Sequence, residues 1–388
     1  MALPISYNVR NVRQRWRVTL LAIGGIALVV AVFIVLIALS TGLRLALRDT
    51  GRPDNAIVVQ RGSAQELTSG IAKDDADFIA VDARVARDGA GRPLASPELV
   101  VAATLPRKAD GTLSNVQVRG VGPLAFAVRG GVRVVEGRTF TPGLAEVIVG
   151  ARVRERYRGL EVGDSFRLKQ RDWTVVGVFE AEGGSFESEV WGDLDVMSAA
   201  FNRQGGYQSV TVRMNDPAEI PAFADDLARN PRLQVDMKPE RKYYEDQAGP
   251  VGAALLFLAF FVSVVMGIGA VFGALNTMYA IVAQRTREIA TLRALGFSRP
   301  AILVSFLIES LVIAAVAGVA GCLLALPANG LTAATGNVTF SELAFAFRVT
   351  PPALVAGMIF ALLMGLAGGL LPAVRAARLP ISRALREA

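Results

Sequence analysis

Apolar residues in this chain gather in four long runs, Val18–Leu39, Val251–Val282, Ile302–Leu326 and Ala353–Leu371, and none of them contains a Lys or Arg. Each holds about 18 or more mostly uncharged residues, enough to cross a ~30 Å hydrocarbon core as a helix. Lipid offers the backbone no hydrogen-bond partner, so such runs are read as helices. One run precedes, and three follow, a polar stretch that shows short-period patterning instead. The predicted fold class is therefore membrane α plus extracytoplasmic α+β: four transmembrane helices with a large outer domain between the first and second. The predicted layout is an interfacial helix over 1–17, spans over 18–40, 251–282, 301–326 and 353–371, an outer domain over 41–250, a short inner segment over 283–300, an outer loop over 327–352 and an inner tail over 372–388.

Within 41–250, Ala56–Gln60, Leu99–Thr104, Val116–Arg119 and Val147–Val149 are β-rich pieces set off by Gly, Pro and Asp. Phe166, Leu168, Trp173, Val175 and Val178 predict a hairpin turning near Arg171–Asp172. Tyr207–Met214 and Leu233–Met237 predict strands around a helix capped by Asp216, with Pro217 at its first position and an end by Asn230–Pro231. Two subdomains are expected, one around 56–140 with 205–240 and one around 141–200. At the start, Ile5, Val9, Val12 and Trp16 recur at helical spacing opposite arginines, as in a helix lying on a membrane surface. The first apolar run exceeds the 7–15 residues of a usual signal-peptide core, so retention as a span is expected.

Charge sets the orientation. The formal net charge is +7, yet residues 41–250 hold 28 Lys and Arg against 30 Asp and Glu. The basic excess sits in three short segments beside the spans: Arg10, Arg13, Arg15 and Arg17; Arg285, Arg287, Arg293 and Arg299; Arg375, Arg378, Arg383 and Arg386. Basic flanks stay in the cytoplasm, and all three agree on cytoplasmic termini with 41–250 outside. Charge dispersed in this way does not predict a nucleic-acid partner. Arg152, Arg154, Arg156 and Arg158, and the acidic run from Glu180 through Glu182, Glu187, Glu189 and Asp193 to Asp195, are read first as solvated surface.

Several chemistries are excluded on residue type. With no His and one Cys, Cys322, neither a His/Cys metal site nor a Ser-His-Asp or Cys-His nucleophile can be assembled from these residues. They contain no Gly-Lys pair, hence no phosphate loop. No catalytic, metal or cofactor site is predicted.

The second run, 32 residues or roughly 48 Å of helix, is too long for the bilayer. It is read as a span continued outwards into a stiff stalk, with Glu240–Asp246 extending it. Gly269 and Gly273 form a small-residue pair within it, repeated by Gly365 and Gly369 in the fourth run, and such faces let helices approach closely in lipid. Packing inside one subunit and contact with a second copy are both open. Between the second and third runs, Gln284 to about Leu295 predicts a short helix stopped by Gly296. Ile289, Leu292 and Leu295 supply apolar contacts, and Arg287, Glu288 and Arg293 supply charge. Docking on a soluble partner and lying on the inner leaflet are both compatible with that pattern. Glu309, the one acid inside an apolar run, is expected to pair with an Arg of this segment.

The stretch RTREIATLRALGFSRPAILVSFLIES resembles the segment shared by FtsX-like permeases of MacB-type ABC transporters. The end, GLLPAVRAARLPISRALR, is similar to their last span and tail, and EVIVGARVRERYRGLEVGDSFRLKQRDWTVVGVFEAEG is similar to their periplasmic core domain. The basic start SYNVRNVRQRWRVTLLAIGGIALVVAV also matches. The resemblance implies a dimeric permease, with a second copy or a paralogue, seated on ABC ATP-binding subunits that carry the ATP and Mg. Arg285, Arg287, Glu288, Ile289, Leu292, Arg293, Leu295 and Gly296 would form the coupling helix, and the second run the stalk. These 388 residues carry no ATP-binding domain, so an ATPase subunit supplied in trans is expected, as in the lipoprotein-releasing and DevC-like members. A periplasmic adaptor, an outer-membrane channel and membrane lipid are further partners implied, in a bacterial inner membrane. Two roles stay open: export or extraction of a hydrophobic or amphipathic substrate by relayed motion, or signalling to a cell-wall hydrolase as in FtsX proper.

Overall fold

A computed structural model of the chain describes residues 16–335 and 343–379. The expected interfacial helix lies outside these residues except at its last two positions, as do the tail arginines Arg383 and Arg386. In chain order, α1 (Trp16–Arg48) leads to β1 (Asn55–Gln60), β2 (Ile71–Ala72), α2 (Lys73–Ala80), β3 (Ala95–Pro106), β4 (Leu113–Val121) and α3 (Ala125–Arg129). Next come β5 (Arg133–Gly137), β6 (Glu146–Gly150), α4 (Ala151–Arg156), β7 (Ser165–Leu168), β8 (Arg171–Glu180), β9 (Glu189–Asp193) and α5 (Leu194–Ala200). The chain continues through β10 (Gly206–Tyr207), β11 (Ser209–Arg213), α6 (Ile220–Arg229), β12 (Val235–Pro239) and α7 (Glu240–Gln284). It then forms α8 (Thr286–Ala294), α9 (Arg299–Ala325), β13 (Thr332–Thr335), β14 (Leu343–Ala346) and α10 (Pro351–Ala377).

Among the described residues, α1, α7, α9 and α10 are long and apolar enough to cross a membrane. Two overrun their predicted ends. The first continues eight residues past position 40 because Leu43–Arg48 offers only helix formers until the Thr50–Pro53 turn. The fourth continues through Pro372 to Ala377, as Pro is tolerated in helices of this kind. Helix α7 is continuous over 45 residues, starting at Glu240, but contains Pro250 between Gly249 and Gly252. Pro250 has no N–H to offer the Asp246 carbonyl, so the expected stiff stalk has one locally weakened turn.

The residues divide into two compact units. One comprises Gly42–Gly252 with Thr332–Ala346. Its core is a mixed sheet in the order β12-β1-β11-β3-β4-β9-β6-β8-β5, with β7 paired to β8. The central β3–β4 hairpin runs from Glu98 opposite Val121 to Pro106 opposite Leu113. Strand β4 pairs parallel to β9, placing Arg119 opposite Trp191, and β6 pairs parallel to β8 with a bulge between Val147 and Ile148. The two subdomains expected from sequence are thus parts of one sheet. Its apolar packing still forms two clusters. One gathers Val58, Val210, Val212, Phe223 and Leu227; the other gathers Leu99, Val118, Val149, Trp173, Val175 and Met197, so β3 and β4 pack mainly with the 141–200 segment. Strand β5 sits at the far edge beside β8, not with the 56–140 strands.

Two local corrections follow from backbone chemistry. The β7–β8 turn lies at Lys169–Gln170, with Lys169 at φ 55, two residues before the expected place. The 327–352 segment is not a plain loop: β13 and β14 pair in a hairpin, with Ala333 opposite Phe345. Phe345 is fully buried, and the hairpin belongs to the sheet unit, where the Arg152 guanidinium donates to the Ala344 carbonyl and the Ala344 N–H donates to Ser188 Oγ.

The second unit comprises Met1–Thr41, Ala253–Leu331 and Phe347–Ala388. Helices α9 and α10 pack closely through small residues. A Cβ on Gly318 would lie 3.0 Å from that of Ala361, and one on Gly365 would overlap that of Ala314. Phe33 of α1 packs against Phe360 of α10 with ring centroids 4.9 Å apart and the rings tilted by 42°.

Candidate functional site

The short segment between the second and third spans is built by two helix ends. Helix α7 stops at Gln284, and Arg285 breaks helical geometry at φ −107, ψ 13 before α8 begins. Helix α8 ends in a Schellman motif: the Phe297 N–H donates to the Leu292 carbonyl at 3.1 Å and the Gly296 N–H to Arg293 at 3.2 Å. Gly296 supplies the left-handed residue, φ 96, that this ending requires. Pro300 then sits in the first turn of α9.

Side chains of the segment separate into a buried set and an exposed set. Arg285 turns inward: its Nη1 donates to Glu309 Oε2 at 2.8 Å, its Nε donates to Glu288 Oε2 at 3.0 Å, and its guanidinium lies 5.1 Å from the Phe306 ring centre. The Arg285 and Glu309 side chains are only 6% and 4% exposed. Ile289 is buried with Met278, Ile281, Ile302, Phe306 and Ala373. Leu292 and Arg293 are half-buried, whereas Arg287, Glu288, Gly296 and Leu295 are exposed, Leu295 by 73%. Arg285 therefore anchors the segment rather than extending its free face.

The four small-residue positions also divide. A Cβ on Gly369 would overlap Ser310, and Gly365 meets Ala314, so both serve packing inside this chain. A Cβ on Gly269 or Gly273 would meet nothing within 4 Å beyond the helix's own backbone. Nearby Phe257, Phe260, Phe261 and Phe272 are all exposed by more than half.

A second constellation escaped the sequence reading. In the sheet unit, Arg119 and Arg129 are buried with Glu66, Glu98, Glu189 and Glu240. Arg119 donates to both Glu189 oxygens at 2.7 and 2.9 Å, to Glu66 at 2.8 and 3.1 Å, and to Glu98 at 2.7 Å. Arg129 donates to Glu98 at 3.1 and 2.6 Å and to Glu240 at 2.5 Å. Ser209 Oγ caps Glu66 at 2.6 Å, and Trp191 Nε1 caps Glu189 at 2.7 Å. Burial alone would lower the pKa of Arg119, but Glu189, Glu66 and Glu98 outweigh it and hold that guanidinium charged. Burial pushes the Glu189 carboxyl up against the opposing pull of Arg119, while in Glu66 the pull of Arg119 outweighs burial and the pKa falls. Glu187 is also buried, paired with Arg152 at 3.1 Å. The acidic run thus reads in part as interior, not as solvated surface. The available signal was a charged residue inside an apolar strand, Arg119 in VQVRGV and Glu98 in SPELVV.

The MacB-like periplasmic core domain family matches residues 19–230, and the FtsX-like permease C-terminal family matches residues 260–381. The macrolide export ATP-binding/permease protein MacB of Hahella chejuensis is 28% identical over 293 residues, covering 70% of this chain and 43% of that protein. A pyoverdine export ATP-binding/permease protein, PvdT of Pseudomonas savastanoi pv. phaseolicola, is 29% identical over 271 residues, covering 63% and 39%. The uncharacterized ABC transporter permease YknZ of Bacillus subtilis is 25% identical over 270 residues, covering 66% of each chain. The chain spans less than half the length of the two export proteins. With one family covering more than half of its residues and the other most of the remainder, the chain belongs to the MacB-like, FtsX-like family of ABC transporter permeases.

Proposed function

We propose that this chain is the permease subunit of an ABC exporter, relaying ATP-driven motion of a separate ATP-binding subunit to its periplasmic domain. The chain is a multi-pass membrane protein of this family with four apolar helices and a large mixed domain between the first two. In this reading the termini and α8 are cytoplasmic, as the basic flanks favour. ATP and Mg reside on the partner, and the chain itself performs no chemical step. A second copy or paralogue completes the permease. The cargo is a hydrophobic or amphipathic molecule taken from the membrane or periplasm, passed on with an adaptor and an outer-membrane channel.

The observation that carries the reading is the division of labour around α8. Its root is fixed by Arg285 to Glu309 and Glu288, its apolar side is buried at Ile289, and Arg287 and Leu295 are exposed. A short helix so anchored moves with α7 and α9 as one piece, so a push on its free face displaces both. Allosteric relay requires two states with different contacts at each end, and α7 contributes residues to both compact units.

The test replaces free residues and spares the anchor. Arg287→Glu with Leu295→Asp should weaken association with the ATP-binding subunit at least ten-fold while membrane insertion and thermal stability stay unchanged. Full association of the double variant would remove α8 as the docking element.

A further inference from the structure

The buried charges are not distributed at random through the sheet unit. They form an alternating chain, Glu240–Arg129–Glu98–Arg119–Glu189, that starts at the first residue of α7 and ends in the middle of the sheet. The Glu240 carboxylate is fully occupied. One oxygen accepts from Arg129 Nη1 at 2.5 Å, and the other accepts from Asn55 Nδ2 and from the Arg52 N–H, both at 3.0 Å. Its donors therefore come from α3, from β1 and from the turn that follows α1.

Other contacts converge on the same place. A Cβ on Gly51 would lie 2.6 Å from the Arg241 nitrogen, so α7 begins in direct contact with the α1–β1 turn. Thr50 Oγ1, in that turn, donates to Ala46 at 2.7 Å and accepts from the Ser185 N–H at 2.6 Å. Arg48 lies 3.7 Å from Glu245, and a Cβ on Gly252 would lie 2.9 Å from Arg44 Nε. The last turns of α1 and the first turns of α7 thus run side by side, and one carboxylate ties both to the sheet.

We propose that Glu240 is the positioning residue of this joint, the point at which movement of α1 and α7 enters the periplasmic sheet. The inference rests on the relay function proposed above and names the residue that performs it at the outer end. A buried carboxylate with three donors resists displacement in every direction, because moving it away leaves the Arg129 Nη1 and the Arg52 N–H without this acceptor. The chain of alternating charges carries the displacement onward to β3, β4 and β9. Substituting Gln keeps the shape but supplies one oxygen and one NH₂ to a site lined only by donors, so one donor must face another.

The experiment has two arms. In the first, the full chain in nanodiscs is followed by hydrogen–deuterium exchange. Glu240→Gln should accelerate exchange at least ten-fold at residues 50–55 and 240–246 while β6, β8 and β9 keep their rates. Gly51→Ala, which separates the same two segments, should do likewise. Unchanged exchange at 50–55, or a uniform acceleration across the sheet, would overturn the joint. In the second arm, the chain is co-purified with its ATP-binding subunit, and exchange in 55–60 and 125–129 is compared between nucleotide-free and vanadate-trapped complexes. The difference seen in the parent should fall at least five-fold in Glu240→Gln, with ATP hydrolysis within two-fold of the parent. A full nucleotide-dependent difference in the variant would contradict the positioning role. Absence of any ATP-binding subunit with the parent chain would instead contradict the relay function, leaving the first arm to judge the joint.

Discussion

Arg285 and Glu309 face each other at 2.8 Å, one just past the end of α7 and the other in the first half of α9, with both side chains almost wholly withdrawn from solvent. Their pairing joins three helices, because the same guanidinium also reaches Glu288 in the first turn of α8. Desolvating two charges costs several kcal/mol, which their attraction offsets only while both are present. Arg285→Met or Glu309→Leu alone should lose about 3–5 kcal/mol of stability, whereas the double variant should recover most of it. Denaturation of the four proteins of this cycle in detergent measures the coupling. Additive losses would show that the two side chains act independently.

Arg119 carries a larger load, since three carboxylates depend on it. Arg119→Met should destabilise the sheet unit by at least about 3–5 kcal/mol at neutral pH. Its deficit should shrink as pH falls towards 5, because unpaired buried carboxylates take up protons more readily than free ones. Thermal midpoints of parent and variant across that range test the sign. A deficit that grows on acidification would contradict it.

At the surface, Arg138 brackets Glu146 through both oxygens at 2.7 and 2.6 Å, and this pairing pulls the Glu146 carboxyl down to about 2. A lowered folded-state pKa contributes stability above the ordinary carboxylate range and loses it as pH falls from about 4.5 to about 2. Arg138→Ala should return Glu146 towards its usual value and flatten that part of the acid-unfolding profile. The pair is partly exposed, so its effect should also weaken in high salt.

The glycine pairs predict opposite outcomes. Valine at Gly365 or Gly369 would collide with Ala314 or Ser310 and should abolish the α9–α10 contact, seen as loss of folded protein on extraction. Valine at Gly269 and Gly273 meets nothing within this chain and should leave it folded. If that face meets a second copy, in-membrane cross-linking between copies should fall in the latter variant alone.

The four spans were legible in the sequence because lipid leaves the backbone so few options, and the α8 ending was legible because Gly296 is almost the only residue that permits it. Strand positions such as Val147–Val149 were also readable from composition. Partnerships across the sheet were not. Nothing local to Arg119 says that it faces Glu66, 53 positions earlier, or Glu189, 70 positions later; the pairing of β4 with β9 brings Glu189 beside it, and Glu66 arrives on a separate short turn, Glu66–Thr68. The same holds for Glu240, which reads as the polar start of a helix until the fold closes around it. A pairing of Glu309 with an Arg of the coupling segment was legible, but not that Arg285 is the partner, because helix periodicity does not show that α7 ends one residue before it.

The central claim is that the exposed side of α8 meets an ATP-hydrolysing partner. A photo-reactive amino acid at Leu295, with a control at lipid-exposed Phe257, tests it most directly in cells carrying the neighbouring genes. Leu295 should yield an adduct with a polypeptide bearing a phosphate-binding loop, identified by mass spectrometry, and Phe257 should not. A correctly inserted chain that forms adducts only with lipid at Leu295 would contradict it.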